Sequence, residues 1–157
     1  MSLLEVSDLS VAFGRRRQVA VDGVSFRLDA GQRLGIIGES GSGKTVTALA
    51  VLGLLPENAL VSGSIRLADR ELIGLDEATH ARLRGDLVSM VFQEPMTALD
   101  PTMRVGRQVA EVLRLHAPDR SGAARTHVLE MLTRVGLADA ERVADSFPHQ
   151  LSGGQRQ

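Results

Sequence analysis

The stretch from Leu34 to Thr45, "LGIIGESGSGKT", constrains the fold more than any other part of the chain. Gly38, Gly43, Lys44 and Thr45 fall as G-x-x-x-x-G-K-[ST]. The apolar run "RLGIIG" before the loop reads as a parallel strand covered on both faces. The run "TVTALAVLGLL" after it is apolar nearly all round and reads as a buried helix that Pro56 brings to a stop. Strand, glycine-rich turn and helix in that order form the context in which this pattern cradles phosphates. The glycines let backbone N–H groups turn inward without side-chain clash, so Gly38, Glu39, Ser40, Gly41, Ser42, Gly43, Lys44 and Thr45 can wrap a phosphate chain at a helix N-terminus.

Lys44 is the only lysine in the chain, and every other guanidinium or ammonium side chain is an arginine. A compact ammonium on a thin stem enters a narrow phosphate cradle, where a planar guanidinium fits badly. Lys44 is therefore expected to reach the terminal phosphates, and the Thr45 hydroxyl to bind Mg²⁺. With this composition a chance match to the pattern is on the order of 10⁻³. A dinucleotide-binding loop does not account for the stretch, because the glycines do not fall as G-x-G-x-x-G and the lysine would have no role.

The remaining elements are consistent with an α/β protein. Residues 3 to 13 and 18 to 28 read as paired strands, with Arg15, Arg16 and Arg17 in the solvated turn between them. "SGSIRLA" and "LVSMVF" read as further strands, with a helix from Asp76 to Arg84 between them. After Pro95 the pattern becomes helical. Val105, Val109, Val112 and Leu113 recur at helical spacing, as do Val128, Met131, Leu132 and Val135, with Ser121 as N-cap and Gly136 as C-cap. The expected organisation is a strand-rich core over about 1–95, a helical subdomain over about 96–150, and a final segment 151–157 that starts another motif and helix.

Composition removes several function classes. A formal net charge of -1 lacks the basic excess that nucleic-acid binding brings, and 3% aromatic residues leave few stacking platforms. Without cysteine there is no disulfide framework, thiol nucleophile or thiolate metal site. His80, His116 and His127 show no metal-ligand spacing and read as surface or helix residues, and His149 as a capping or packing residue. "MSLLEVSDLS" lacks the basic start and apolar block of a signal peptide, which leads to the expectation of a cytoplasmic site.

Two further stretches give the phosphate loop a setting: "VFQEP" at 91–95 and "LSGGQRQ" at 151–157. The loop, then Gln93 at a strand end, then a helical stretch, then Leu151-Ser152-Gly153-Gly154-Gln155, resembles the nucleotide-binding domain of ATP-binding cassette (ABC) proteins over nearly the whole chain. The resemblance implies a P-loop NTPase fold of the ABC type, with an antiparallel β-subdomain and a helical insertion. It also implies an ATPase whose two copies, alike or different, sandwich ATP and Mg²⁺ between the phosphate loop of one and the signature motif of the other. Gln93 would then touch the Mg²⁺ or the attacking water, with Lys44 as the other catalytic residue. Ser152, Gly153, Gly154 and Gln155 would meet the γ-phosphate of the opposite subunit, in keeping with a hydroxyl and unhindered N–H groups at a helix start. Phe13 stands where the family places an aromatic that stacks on adenine, and an apolar core residue would look the same.

The match is finer still. "GESGSGKT", "VFQEPMTALDPTMRVGRQVAE" and "FPHQLSGGQRQ" look like the ATPase subunits of bacterial dipeptide and oligopeptide importers, and nickel importers share much of this pattern. This implies transmembrane permease subunits as direct partners, a substrate-binding protein as an indirect one, and a peripheral location on the cytoplasmic face of the membrane. An exporter, a non-transport ABC ATPase and a nucleotide-binding module that never hydrolyses ATP are the alternatives. In the family a Mg²⁺-binding Asp, the catalytic Glu and a γ-phosphate-sensing His follow the signature helix. The expectation is therefore of a truncated domain, whose residues 1–157 alone do not turn over ATP.

Overall fold

The computed structural model describes residues 2–92, 98–116 and 123–157. The chain divides into two compact units, Met1–Ser89 and Met90–Gln157.

The first unit is built on a four-stranded antiparallel sheet with the order β2-β1-β3-β4. Its strands are β1 (Ser2–Phe13), β2 (Gln18–Asp29), β3 (Ala59–Leu67) and β4 (Arg70–Glu71). Valines and leucines at alternate positions supply one apolar face, on which α1 (Lys44–Leu52) lies through Ala50 and Val51. The alternation slips once: Val6 and Leu9, three apart, are both buried. Asp8 adopts φ 49, the β1–β3 register shifts between Ser7 and Ser10, and a Cβ on Gly63 would stand 2.5 Å from the Asp8 carbonyl oxygen. The bulge turns Leu9, Val11 and Phe13 back toward the core, and only glycine fits opposite it.

α1 ends before Pro56. Gly53 takes φ 63 and ψ 31, and the N–H groups of Gly53 and Leu54 return to the Ala50 and Leu49 carbonyls. A left-handed glycine cap thus stops the helix three residues earlier than the proline would. α2 (Glu77–Leu83) is N-capped by Asp76, whose carboxylate accepts from the Thr79 N–H and hydroxyl. It closes on the end of α1: Arg84, ion-paired with Glu77, donates from Nη1 to the Leu52 carbonyl at 3.1 Å. His80, read from sequence as a surface or helix residue, is a buried helical residue packed against Gly53, where any Cβ would lie 2.5 Å from its ring.

Two expected strands do not form ladders. "RLGIIG" takes no regular secondary structure and pairs with no strand among the described residues, with Ile37 98% exposed. "LVSMVF" contributes one isolated bridge, Arg84 to Val88. A strand is defined by its neighbour's hydrogen bonds, and no described segment supplies them here.

The second unit is helical: α3 (Val105–His116), α4 (Ala124–Arg134), α5 (Ala140–Asp145), a 3-10 turn (Pro148–Gln150) and α6 (Gly153–Arg156). Val105, Val128, Leu132, Val143 and Leu151 form its core. Gly106 lies on α5, where a Cβ would come within 2.9 Å of Ala144. Gly136, at φ 85, follows α4 and returns its N–H to Thr133, as expected of a C-terminal glycine. Ser121 lies outside the described residues, and the residue preceding α4 is Ala123, which offers no side-chain cap.

Candidate functional site

Residues 38–45 form one loop leading into α1, and the packing of a single glycine fixes it against the sheet. Gly43 has φ 86 and ψ 0, and a Cβ there would meet the Ala20 carbonyl oxygen at 2.5 Å and a Val21 methyl at 3.1 Å. The loop therefore rests on the backbone of β2, in a conformation that glycine alone adopts without strain. At the other end of the loop, a Cβ on Gly38 would strike the Ser42 hydroxyl at 2.6 Å.

Two hydrogen bonds anchor the Gly43 carbonyl to α1. The Thr47 N–H donates to it at 2.8 Å and the Thr47 hydroxyl at 3.0 Å, from a side chain that is buried. Sequence reading singled out neither Thr47 nor Ala20. For Thr47 the available signal was a polar residue four positions after Gly43 in an otherwise apolar helix.

Lys44 folds back into the loop. Its Nζ donates to the Gly38 carbonyl at 2.8 Å, the Glu39 carbonyl at 2.7 Å and the Ser42 hydroxyl at 3.2 Å. The loop's oxygens thus hold the ammonium group inside its curve. No backbone hydrogen bond among the described residues takes up the N–H groups of Gly43, Lys44, Thr45 or Val46. Four donors at the positive end of a helix beside an ammonium make a cradle for a polyphosphate. Thr45 lies exposed in the first turn of α1. The loop thus fits a polyphosphate chain such as that of a nucleoside triphosphate, and a hydroxyl on an exposed residue at this point fits a phosphate-bound Mg²⁺.

Phe13 ends β1, paired in register with Gln18, and is partly buried against the core of the sheet. The β1–β2 ladder runs from Phe13–Gln18 through Ala12–Val19 to Val11–Val21, so β2, against which Gly43 rests, is also the strand paired with Phe13. Gln93 lies outside the described residues.

In the second unit, the signature residues form a capped helix start. Ser152 precedes α6, its hydroxyl accepts from the Gln155 N–H at 3.3 Å, and the Gln155 amide oxygen accepts from the Ser152 N–H at 3.0 Å. This reciprocal box fixes the entry to the helix and leaves Gly153 and Gly154 exposed, with nothing within 4 Å of where a Cβ would stand on either. His149 stacks on Phe147 at 5.7 Å, and the Arg104 guanidinium stands 5.8 Å from that ring. The structure thus brings residues 38–45 together in one unit and residues 152–155 together in the other.

The close contact at Gly43 gives a graded expectation. Gly43→Ala incurs both the left-handed backbone cost and the collision with Ala20, about 2–3 kcal/mol in all, whereas Gly41→Ala, at φ 81 in open space, incurs only about 1–2. Chemical denaturation of the full chain reads the difference. Equal destabilisation by the two substitutions would mean that the loop does not rest on β2.

The family model described as ABC transporter matches residues 21–157. The chain is 48% identical to the oligopeptide transport ATP-binding protein OppD of Mycobacterium tuberculosis, over 99% of this chain and 26% of that protein. It is 42% identical to the oligopeptide transport ATP-binding protein AppD of Bacillus subtilis, over 99% of this chain and 49% of that protein. OppD of Salmonella typhimurium is 45% identical over 99% of this chain and 47% of that protein. Among solved structures, an ATP binding subunit of an ABC transporter superposes with a TM-score of 0.70 at 26% identity, covering 98% of this chain and 57% of that one. A dimeric ATP-binding cassette in a post-hydrolysis state, bound to ADP and Pi, has the same fold, with a TM-score of 0.70 at 23% identity over 98% of this chain and 65% of its own. The chain therefore spans between about a quarter and half of the length of these curated relatives.

Proposed function

This chain belongs to the ABC transporter family, and on that premise we propose that it is the ATP-binding part of a subunit that hydrolyses ATP to energise import, with di- and oligopeptides as the cargo. The observation that carries the proposal is the loop at 38–45, which holds an ammonium group and, at the start of a helix, four N–H donors with no hydrogen-bond partner among the described residues. The peptide cargo is supported by relatives named as oligopeptide transport proteins at 42–48% identity.

Bound ATP with Mg²⁺ supplies the reactive phosphoryl group. The chain's own residues bind and orient it. The N–H groups of 43–46 would hold phosphate oxygens, and Lys44, which in the free loop donates to the Gly38 and Glu39 carbonyls, would bind the terminal phosphates and neutralise their charge. Thr45 and Gln93 would hold the Mg²⁺. Ser152, Gly153, Gly154 and Gln155 would face the nucleotide of a second ATPase subunit, and Phe13 would lie toward the adenine. The partners are that second subunit and transmembrane permease subunits, with a substrate-binding protein acting through the permease. The site of action is the cytoplasmic face of the membrane. No helix among the described residues is long and apolar enough to cross a membrane, which fits a peripheral subunit.

Deletion of the gene for the full-length protein is expected to abolish growth on di- or oligopeptides as the sole source of a required amino acid, with the free amino acid restoring growth. Restoration by the wild-type gene but not by Lys44→Ala ties the transport to the loop. Normal peptide uptake in the deletion strain, with export of another compound impaired, would refute the assignment of peptide import.

A further inference from the structure

The second unit carries a concavity that the nucleotide reading does not use. It is a groove of about 280 Å³ lined from α3, α4 and α5. Four arginines stand around it: Arg104, just before α3, Arg107 and Arg114 on α3, and Arg125 on α4. Between them lie Gly106, Ala110, Ala124, Val128 and Ala144, none with a long side chain, so the guanidinium groups border a recess. Glycine at 106 is required for the close approach of α3 and α5 that forms its floor.

The one acidic residue in the lining is Asp145. Arg125 donates to both its carboxylate oxygens at 3.2 Å, and Arg104 Nη1 stands 3.9 Å from Oδ1. The hydrogen bond from Arg125 holds the Asp145 carboxyl below the usual range and raises the guanidinium in turn, with Glu141 adding a smaller pull on Arg125. Arg107 and Arg114 are different. They are exposed, two turns apart on one side of α3, and no ion pair among the described residues holds either of them. Glu111, on the same helix, is not part of the lining. In a chain of formal net charge -1, the groove gathers four positive charges against one negative.

We propose that this groove binds a phosphate-bearing anion, held by Arg107 and Arg114 together with the N–H donors of Arg104 and Arg125 that Asp145 leaves free. Guanidinium forks match tetrahedral and planar oxyanions, and two of the four already converge on one carboxylate, so their separation suits a single oxyanion. An acidic peptide would need pockets for its side chains and partners for its backbone, and the lining offers small alkyl groups and cationic donors instead. A compact phosphate head group needs neither. The site belongs to the second unit and the loop at 38–45 to the first, and the proposal does not depend on the nucleotide reading.

The test uses the full-length protein carrying Lys44→Ala, which weakens phosphate binding at the loop. Inorganic pyrophosphate is titrated by calorimetry, and vesicles of phosphatidylcholine containing phosphatidylglycerol are tested by co-sedimentation. Arg107→Gln with Arg114→Gln is expected to weaken binding by about 10-fold or more, and raised salt to weaken it further. Asp145→Asn removes the internal competitor and is expected to tighten binding by a few-fold, with circular dichroism confirming that the helices remain. Pyrophosphate binding alone assigns a soluble ligand, and vesicle binding through the same arginines assigns a lipid head group. Either supports the site. It is overturned if neither probe binds, if binding ignores the arginine pair, if Asp145→Asn weakens it with the helices intact, or if polyglutamate binds in preference to pyrophosphate.

Discussion

Lys44→Ala is expected to lower the ATP affinity of the full-length protein by at least about 100-fold, or ~2.7 kcal/mol. The substitution removes the only ammonium side chain in residues 1–157, and with it three hydrogen bonds that tie together Gly38, Glu39 and Ser42 in the free loop. Two losses are therefore combined, one of charge and one of loop order, and further substitutions separate them. Lys44→Met keeps most of the length as an apolar stem but supplies no donor, so it should bind as poorly as the alanine variant. Lys44→Arg keeps the charge as a planar fork, which cannot occupy the position where one small group meets three oxygens within 3.2 Å, and should recover little. Affinities are read by equilibrium titration with a fluorescent ATP analogue. Unchanged affinity in Lys44→Ala would remove the basis of the nucleotide assignment, and full recovery in Lys44→Arg would show that the cradle does not select for shape.

The second large effect is expected from Gly153→Asp, which should leave ATP binding by the monomer intact and abolish hydrolysis in the assembled protein. Nothing lies within 4 Å of where the new Cβ would stand, so the fold has room for it. A carboxylate in the first turn of α6 also suits the helix dipole, and the isolated subunit should unfold no more readily than wild type. Lost activity would then reflect what the motif meets on another molecule, where an added negative charge repels a γ-phosphate. Mixing full-length Lys44→Ala with full-length Gly153→Asp sharpens the test. If sites form across an interface, the mixed dimer has one site with both lesions and one with neither, and activity returns in part. If each chain serves its own nucleotide, every site is damaged and none returns.

Local chemistry made the phosphate loop legible in the sequence, because the glycines, the lysine and the hydroxyl that it needs are adjacent. The cap at the signature has the same character, since Ser152 and Gln155 satisfy each other three residues apart. What depends on distant partners was not legible. The strand expected at "RLGIIG" has the composition of a buried strand, yet Leu34, Ile36 and Ile37 stand exposed because pairing belongs to the neighbours and not to the segment. His80 is buried because Gly53, in the cap that ends α1, leaves space for its ring, and four isolated histidines in a sequence give no hint of which one meets a glycine. The bulge at Asp8 likewise needs Gly63 opposite it, and neither residue alone signals the break in alternation.

The first helix is held at both ends. At one end Gly43 is lodged against the Ala20 carbonyl, and at the other the Leu52 carbonyl is gripped by Arg84, itself braced by Glu77. A nine-residue helix is a stiff rod about 14 Å long, far more easily bent at its joints than shortened. A pull on the loop along the rod's axis therefore reaches the far joint with little loss. The joint there is an ion-paired guanidinium on a carbonyl, which has a definite length to keep. In mechanical terms α1 is a strut between the loop and α2, fixed at its far end by the Arg84 contact.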